Sequence, residues 1–162
     1  MNSKKSRGVR FSAPLVLALV LVGCTTTTHS GSSAYLQEQQ AQGEPADAAL
    51  QAQVRALDDY VAAEQSTIPT IMAGSNGVYS DVIIGAIYPD TVDYSYHYAQ
   101  PVDPGAARSA FDSHVQTFQD SCDTLVFPAM KRAGVTSSQG AKYTYYNTDG
   151  SEIWSQSFTS SD

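Results

Sequence analysis

Between Thr91 and Ala99 the chain alternates without a fault: Val92, Tyr94, Tyr96 and Tyr98 fall on one side, Asp93, Ser95 and His97 on the other. A period of two is the signature of a strand whose faces differ. Three tyrosine rings and a valine on one face are read as packed under a second layer, with an exposed aromatic platform for a partner as the alternative. Two stretches have the pattern of such a layer. Leu50, Val54, Leu57 and Val61 recur at steps of four, three and four, and Phe111, Val115, Phe118, Cys122 and Leu125 at steps of four, three, four and three. Each series places its apolar side chains along one stripe of a helix.

The remaining elements follow in order. Asp47 is positioned to cap the first helix, and Ile68-Pro69 should kink or end it, because proline has no amide donor and crowds the preceding turn. Thr70 to Ala73 adds a further turn, and Gly74-Ser75-Asn76-Gly77 reads as a loop. Val78 to Tyr88 is β-branched and aromatic, hence a strand, and Pro89-Asp90 is a turn. A tight hairpin here would set Gly85 opposite Tyr94. Val82, Ile84 and Ala86 would then face away from the tyrosines, implying an interior strand or a second covered surface. Gln100 to Gly105 links to a long helix from Ala106, kinked at Pro128, continued by Met130 and stopped at Gly134, with Lys131 and Arg132 complementing the helix dipole. Lys142 to Tyr146 and Glu152 to Phe158 form a second hairpin around Asn147-Thr148-Asp149-Gly150. A four-residue loop pairs Tyr143 with Trp154 and a three-residue loop pairs it with Ser155, so the faces stay open. The order is αββαββ, and the expected fold is α+β, with two helices on an antiparallel sheet of about four strands. The halves match weakly about 60 residues apart, as at Ile68-Pro69 with Phe127-Pro128, Asp90 with Asp149 and Tyr94-Ser95 with Trp154-Ser155. Duplication and coincidence both account for this.

The N-terminus determines where such a domain works. Lys4, Lys5, Arg7 and Arg10 precede an uncharged run from Phe11 to Gly23, and Leu21-Val22-Gly23-Cys24 closes it. Basic flank, apolar run and cleavage point make a secretory signal peptide. The run is roughly 13 residues and contains Pro14, short of the ~20 a membrane-spanning helix needs. A cysteine at the cleavage point resembles the signal of bacterial lipoproteins. That resemblance implies a diacylglycerol on Cys24, cleavage between Gly23 and Cys24, and attachment to the extracytoplasmic face of the cell membrane. Residues 1–23 are then the signal, 24–46 the lipidated cysteine and a tether, and 47–160 one α+β domain. The tether (Thr25-Thr26-Thr27-Thr28, Ser30-Gly31-Ser32-Ser33, then a Gln-rich stretch) has little to bury and is expected to be disordered, its His29 merely solvated.

Of nine basic residues, four precede the cleavage point, leaving Arg55, Arg108, Lys131, Arg132 and Lys142 against sixteen acidic residues, a mature charge of −11. A surface so negative repels nucleic acid and anionic headgroups, so the acyl chains alone must hold the membrane. With Cys24 lipidated, Cys122 is left without a partner in the chain and no intramolecular disulfide is available.

Phe111-Asp112-Ser113, Val126-Phe127-Pro128-Ala129-Met130-Lys131 and the ending Tyr143 to Trp154 (YTYYNTDGSEIW) resemble a domain of unknown function carried by small lipoproteins of Gram-positive bacteria. The resemblance spans roughly Leu50 to Phe158. It implies a surface location and this architecture, and no catalytic residues.

Candidate chemistry is sparse. His97 shares its strand face with Asp93 and Ser95, but no positioning motif supports a nucleophilic triad. His114 and Asp112 are two apart and do not face each other on a helix. Three or four converging metal ligands are not apparent, and Asn147, Asp149 and Glu152 do not have calcium-loop spacing. No phosphate-binding loop or dinucleotide fingerprint occurs, so no cofactor is expected. Cys122 falls on the apolar stripe and reads as a buried core residue. Tyr143, Tyr145 and Trp154 are read either as rings packed under the helices or as an exposed platform for a glycan, peptide or envelope protein. The expectation is a non-catalytic binding or interaction module. An extracytoplasmic enzyme or accessory subunit, or a structural envelope lipoprotein, is the alternative.

Overall fold

The computed structural model describes residues 45–161; Gly23, Cys24, the signal and nearly all of the tether lie outside them. Helix α1 (Pro45–Gln65) is followed by the short α2 (Ile68–Gly74), then strands β1 (Tyr79–Ile87) and β2 (Thr91–Tyr98). The helical return is α3 (Pro104–Ser113), α4 (Val115–Ser121), a π-helical turn (Cys122–Val126) and α5 (Phe127–Ala133), and the chain ends in β3 (Gly140–Tyr146) and β4 (Glu152–Thr159). The fold is α+β, with helices on one face of a four-stranded sheet in the order β1-β2-β3-β4.

The sheet is mixed rather than antiparallel. Both hairpins are antiparallel, but β2 and β3 run parallel, with Thr91 beside Gly140 and His97 beside Tyr146. A parallel neighbour needs a crossover of a dozen or more residues, and the helical return supplies it by bringing the chain back to the end where β2 starts. Gly140 is required there: a Cβ would run into the side chain of Thr91.

This topology also decides against a spatial repeat. The order αββ recurs, but with β2 and β3 parallel in the sequence β1-β2-β3-β4, the two hairpins have opposite hands seen from the helices. Turning one αββ unit onto the other would place its helix on the wrong face. The weak sequence matches therefore do not reflect superposable halves.

Both hairpin registers differ from expectation. Ile87 pairs with Thr91, so the first turn has three residues (Tyr88, Pro89, Asp90), and Ile84, not Gly85, lies opposite Tyr94. The one-residue slip turns Val82, Ile84 and Ala86 towards the helices beside Val92, Tyr94 and Tyr96. No second covered surface is needed, and β1 is an edge. In the second hairpin a bulge at Tyr145/Tyr146 sets Tyr145 opposite Trp154 and Tyr143 opposite Gln156. Neither loop length considered gives that pairing, because the bulge adds a residue to one strand.

Helix α1 buries Val54, Leu57 and Val61 from its expected stripe, with Tyr60 beside them. It is already helical at Pro45, so Asp47 sits in the first turn and not at the cap. Helix α3 begins at Pro104, earlier than Ala106, because Asp103 caps it by accepting the Ala106 amide at 2.6 Å. The helix is interrupted at His114 and again just before Pro128. There the Phe127 amide reaches back five residues to the Cys122 carbonyl, and the widened turn absorbs the proline's missing donor and bulky ring. It also shifts the stripe: Phe127 and Met130 continue the buried side after Cys122, while Leu125 is left half-buried. Gly134 ends the run in the left-handed region at φ 104°.

Side chains, mostly from the helices, occupy some backbone groups at the sheet's edges. At β1, Gln65 Nε2 donates to the Ile84 carbonyl at 2.8 Å, and the Asp81 carboxylate accepts the Val82 amide at 2.9 Å. At β4, Arg108 Nε donates to the Ile153 carbonyl at 3.0 Å and Gln119 Nε2 to that of Thr159 at 3.3 Å. Edge groups left open are templates for pairing with another chain, and these contacts occupy some of them.

Candidate functional site

Tyr143, Tyr145 and Trp154 do not form an exposed platform. All three project from the sheet towards the helices. Tyr145 and Trp154 are each only 5 % exposed, and Tyr143 is half-buried. Phe111 of α3 lies 4.2 Å from Tyr145 and 5.1 Å from Trp154, centroid to centroid, and Phe118 of α4 lies 5.3 Å from Tyr143. The Trp154 indole donates to Asp112 Oδ1 at 2.9 Å. Burial pushes Tyr143 and Tyr145 well above the ordinary phenol range. Rings continue across the covered face, with Tyr94 stacked on Tyr143 and Tyr96 on Tyr145, both at 4.9 Å. The tyrosines are core, of the rings-under-helices kind.

A thread of polar groups runs through that core. Tyr60 and Tyr94 share a hydroxyl hydrogen bond of 3.1 Å, and Tyr94 donates to Glu64 Oε2 at 3.2 Å. Burial raises the Glu64 carboxyl, and the bond from Tyr94 opposes that shift. Cys122, fully buried and free, directs its thiol to the Tyr143 hydroxyl at 3.9 Å. Burial pushes the thiol up to about 11, with Asp123 adding to the effect and Tyr143 opposing it. That alone makes the reactive thiolate about a hundredfold rarer at neutral pH. A thiol reagent should therefore label the native protein at least about a hundredfold more slowly than the chain in denaturant. Comparable rates would show that Cys122 opens readily to solvent.

The histidines are separated. His114 sits at the break after α3, exposed, with its Nδ1 donating to the Ala110 carbonyl at 2.8 Å. His97 lies on the uncovered face of β2, stacked on Tyr146 at 4.8 Å. Neither Asp93 nor Ser95 bonds to it; neighbours on one strand face stand roughly 6.6 Å apart along the strand. Asp149 accepts the amide and hydroxyl of Ser151 within its turn, which lowers its carboxyl. Among the described residues no group of three His, Cys, Asp or Glu could hold a metal.

The geometry brings a different set together. At the end of the sheet where β2 and β3 both finish, Ser80, His97, Tyr98, Ala99, Asn147, Thr148 and Gly150 line an open cleft of about 340 Å³. Its walls are held from three sides. The Ala99 amide donates to the Val78 carbonyl at 2.9 Å. Ser80 Oγ donates to the His97 carbonyl at 3.3 Å. Asn147 grips Val102 twice, accepting its amide at 3.2 Å and donating to its carbonyl at 3.0 Å. Of these residues His97, Tyr98 and Asn147 are weighed from the sequence, each for a different chemistry, and Asn147, Thr148 and Gly150 read there as turn formers. Compared with known protein families, curated proteins and solved structures, the chain matches none.

Proposed function

We propose that this protein is a lipid-anchored module of the extracytoplasmic membrane face that acts by binding. The observation that carries the reading is Leu21-Val22-Gly23-Cys24 behind a basic flank and a short apolar run. The mature charge of −11 supports it, since a surface of that sign needs covalent lipid to stay at an anionic membrane. The 22 residues between Cys24 and Asp47 leave room for the domain to work beyond the bilayer surface, among envelope proteins, peptides or glycans.

The test is Cys24→Ser in cells fed a fatty-acid probe. The wild-type chain should take up label and sediment with membranes, while the variant should lose label and keep its signal uncleaved. A variant that is still labelled, or a wild-type chain that never is, sinks the anchor.

A further inference from the structure

We infer that the cleft at the end of the sheet is a binding site for a small, neutral, hydroxyl-rich ligand of the saccharide class. The inference rests on the binding reading above and not on the anchor. In open sheets, ligands gather outside the carboxyl ends of parallel strands, where the chain leaves neighbouring strands in different directions. Here β2 and β3 are the parallel pair. Beyond Tyr98 the chain turns off to the helices, beyond Tyr146 it turns into β4, and the cleft opens between the two departures. Its volume of about 340 Å³ lies at the small end of ligand sites, room for one or two sugar rings and not for a folded partner.

The lining selects the chemistry. Among the described residues no Lys, Arg, Asp or Glu side chain lines the cleft. Asp149, between two lining residues, has its carboxylate engaged by Ser151. An anionic ligand thus finds no counter-ion there, and Asp81, the cross-strand partner of His97, would repel it. What the cleft offers is hydrogen bonding: the two ring nitrogens of His97, one a donor and one an acceptor when neutral, and the Thr148 hydroxyl. None of these is hydrogen-bonded among the described residues, whereas the Asn147 amide is taken up by Val102. Stacking on Tyr146 fixes the plane of the imidazole before any ligand arrives. Preorganised, unsaturated donors and acceptors on His97 and Thr148, with Ala99 and Gly150 adding apolar surface to the lining, suit a sugar ring, which has hydroxyls at its rim and C–H groups on its faces.

The experiment titrates the full mature chain with glucose, N-acetylglucosamine and its soluble oligomers, with glucose 6-phosphate and lysine as charged controls. Amide shifts are read by NMR. A neutral sugar should give saturable shifts confined to Ser80, His97–Ala99 and Asn147–Gly150. His97→Ala and Thr148→Val should each weaken binding about tenfold with the thermal melt unchanged. Tighter binding of either charged control, or saturable sugar shifts away from the cleft, overturns the saccharide site while leaving a binding module standing. Absence of saturable shifts with every probe overturns the site as well. Absence of shifts even with a whole envelope extract removes the binding reading beneath it.

Discussion

Trp154→Ala is expected to cost about 3–5 kcal/mol of stability, the range for emptying a large aromatic site in a packed core. Trp154 stands 5.1 Å from Phe111 and 5.5 Å from Phe118, ring centre to ring centre, and its neighbour Tyr145 touches the same Phe111. Deleting the indole removes contacts that join β4 to α3 and α4, and the helices cannot close over the gap without shifting the Phe111, Phe118 and Tyr145 rings beside it. For a domain of this size the melt should fall by roughly 10–20 °C. The contrasting substitution is Ile83→Thr on the uncovered face, where the isoleucine is 51 % exposed; it should move stability by no more than about 0.5 kcal/mol. Thermal melts of the two variants beside the parent decide the matter. A Trp154→Ala protein that melts within a degree or two of the parent would mean that the tryptophan is a surface group after all.

The covered faces of β2 and of the helices were legible in the sequence; the covered face of β1, the faces of the second hairpin, and the strand directions and registers were not. Alternation at Val92, Tyr94, Tyr96 and Tyr98 gives the covered side of β2 because a strand's two faces differ in solvent. Nothing in that alternation depends on which way the neighbouring strand runs, so the parallel pairing of β2 with β3 leaves no trace in it. Registers turn on single residues: one more residue in the turn at Tyr88-Pro89-Asp90 re-aims Ile84, and one bulge at Tyr145/Tyr146 re-pairs Trp154. Pro128 signalled an interruption, but the wide turn that accommodates it, and the resulting change from Leu125 to Phe127 as the next buried residue, follow from the backbone's own accounting of donors. The cleft was least legible. Ser80, His97 and Asn147 come from three separate segments, and the contact that shapes one wall, Asn147 with Val102, spans 45 positions. Its polar residues are the types that also make turns, and in a linear reading the turn suffices to explain them.

Above pH 10 the protein should unfold steeply and cooperatively. Tyr60, Tyr79, Tyr94, Tyr96, Tyr143 and Tyr145 are all pushed above the ordinary phenol range, burial being the largest cause for each. A phenol is neutral when protonated, so burial favours the protonated form and the folded value is the raised one. The stability tied to these groups is fully present below the unfolded value of about 10 and is lost as pH climbs beyond it. Each buried phenol that cannot ionise in the fold contributes about 1.4 kcal/mol of lost stability per pH unit, and six together approach roughly 8 kcal/mol per pH unit. Since a domain holds only about 5–15 kcal/mol in all, one to two pH units should exhaust it. The Glu64 carboxylate beside Tyr94 keeps that phenol protonated to still higher pH by like-charge repulsion, so its share of the loss continues across the range. Tyrosinate absorbance at 295 nm and far-ultraviolet circular dichroism, followed together from pH 9 to 12.5, should show about six of the ten phenols ionising in one sharp step that coincides with loss of helix. Smooth ionisation centred near pH 10 with the dichroism intact would mean that the rings reach solvent in the native state, and that the tyrosine-lined layer between sheet and helices is not closed.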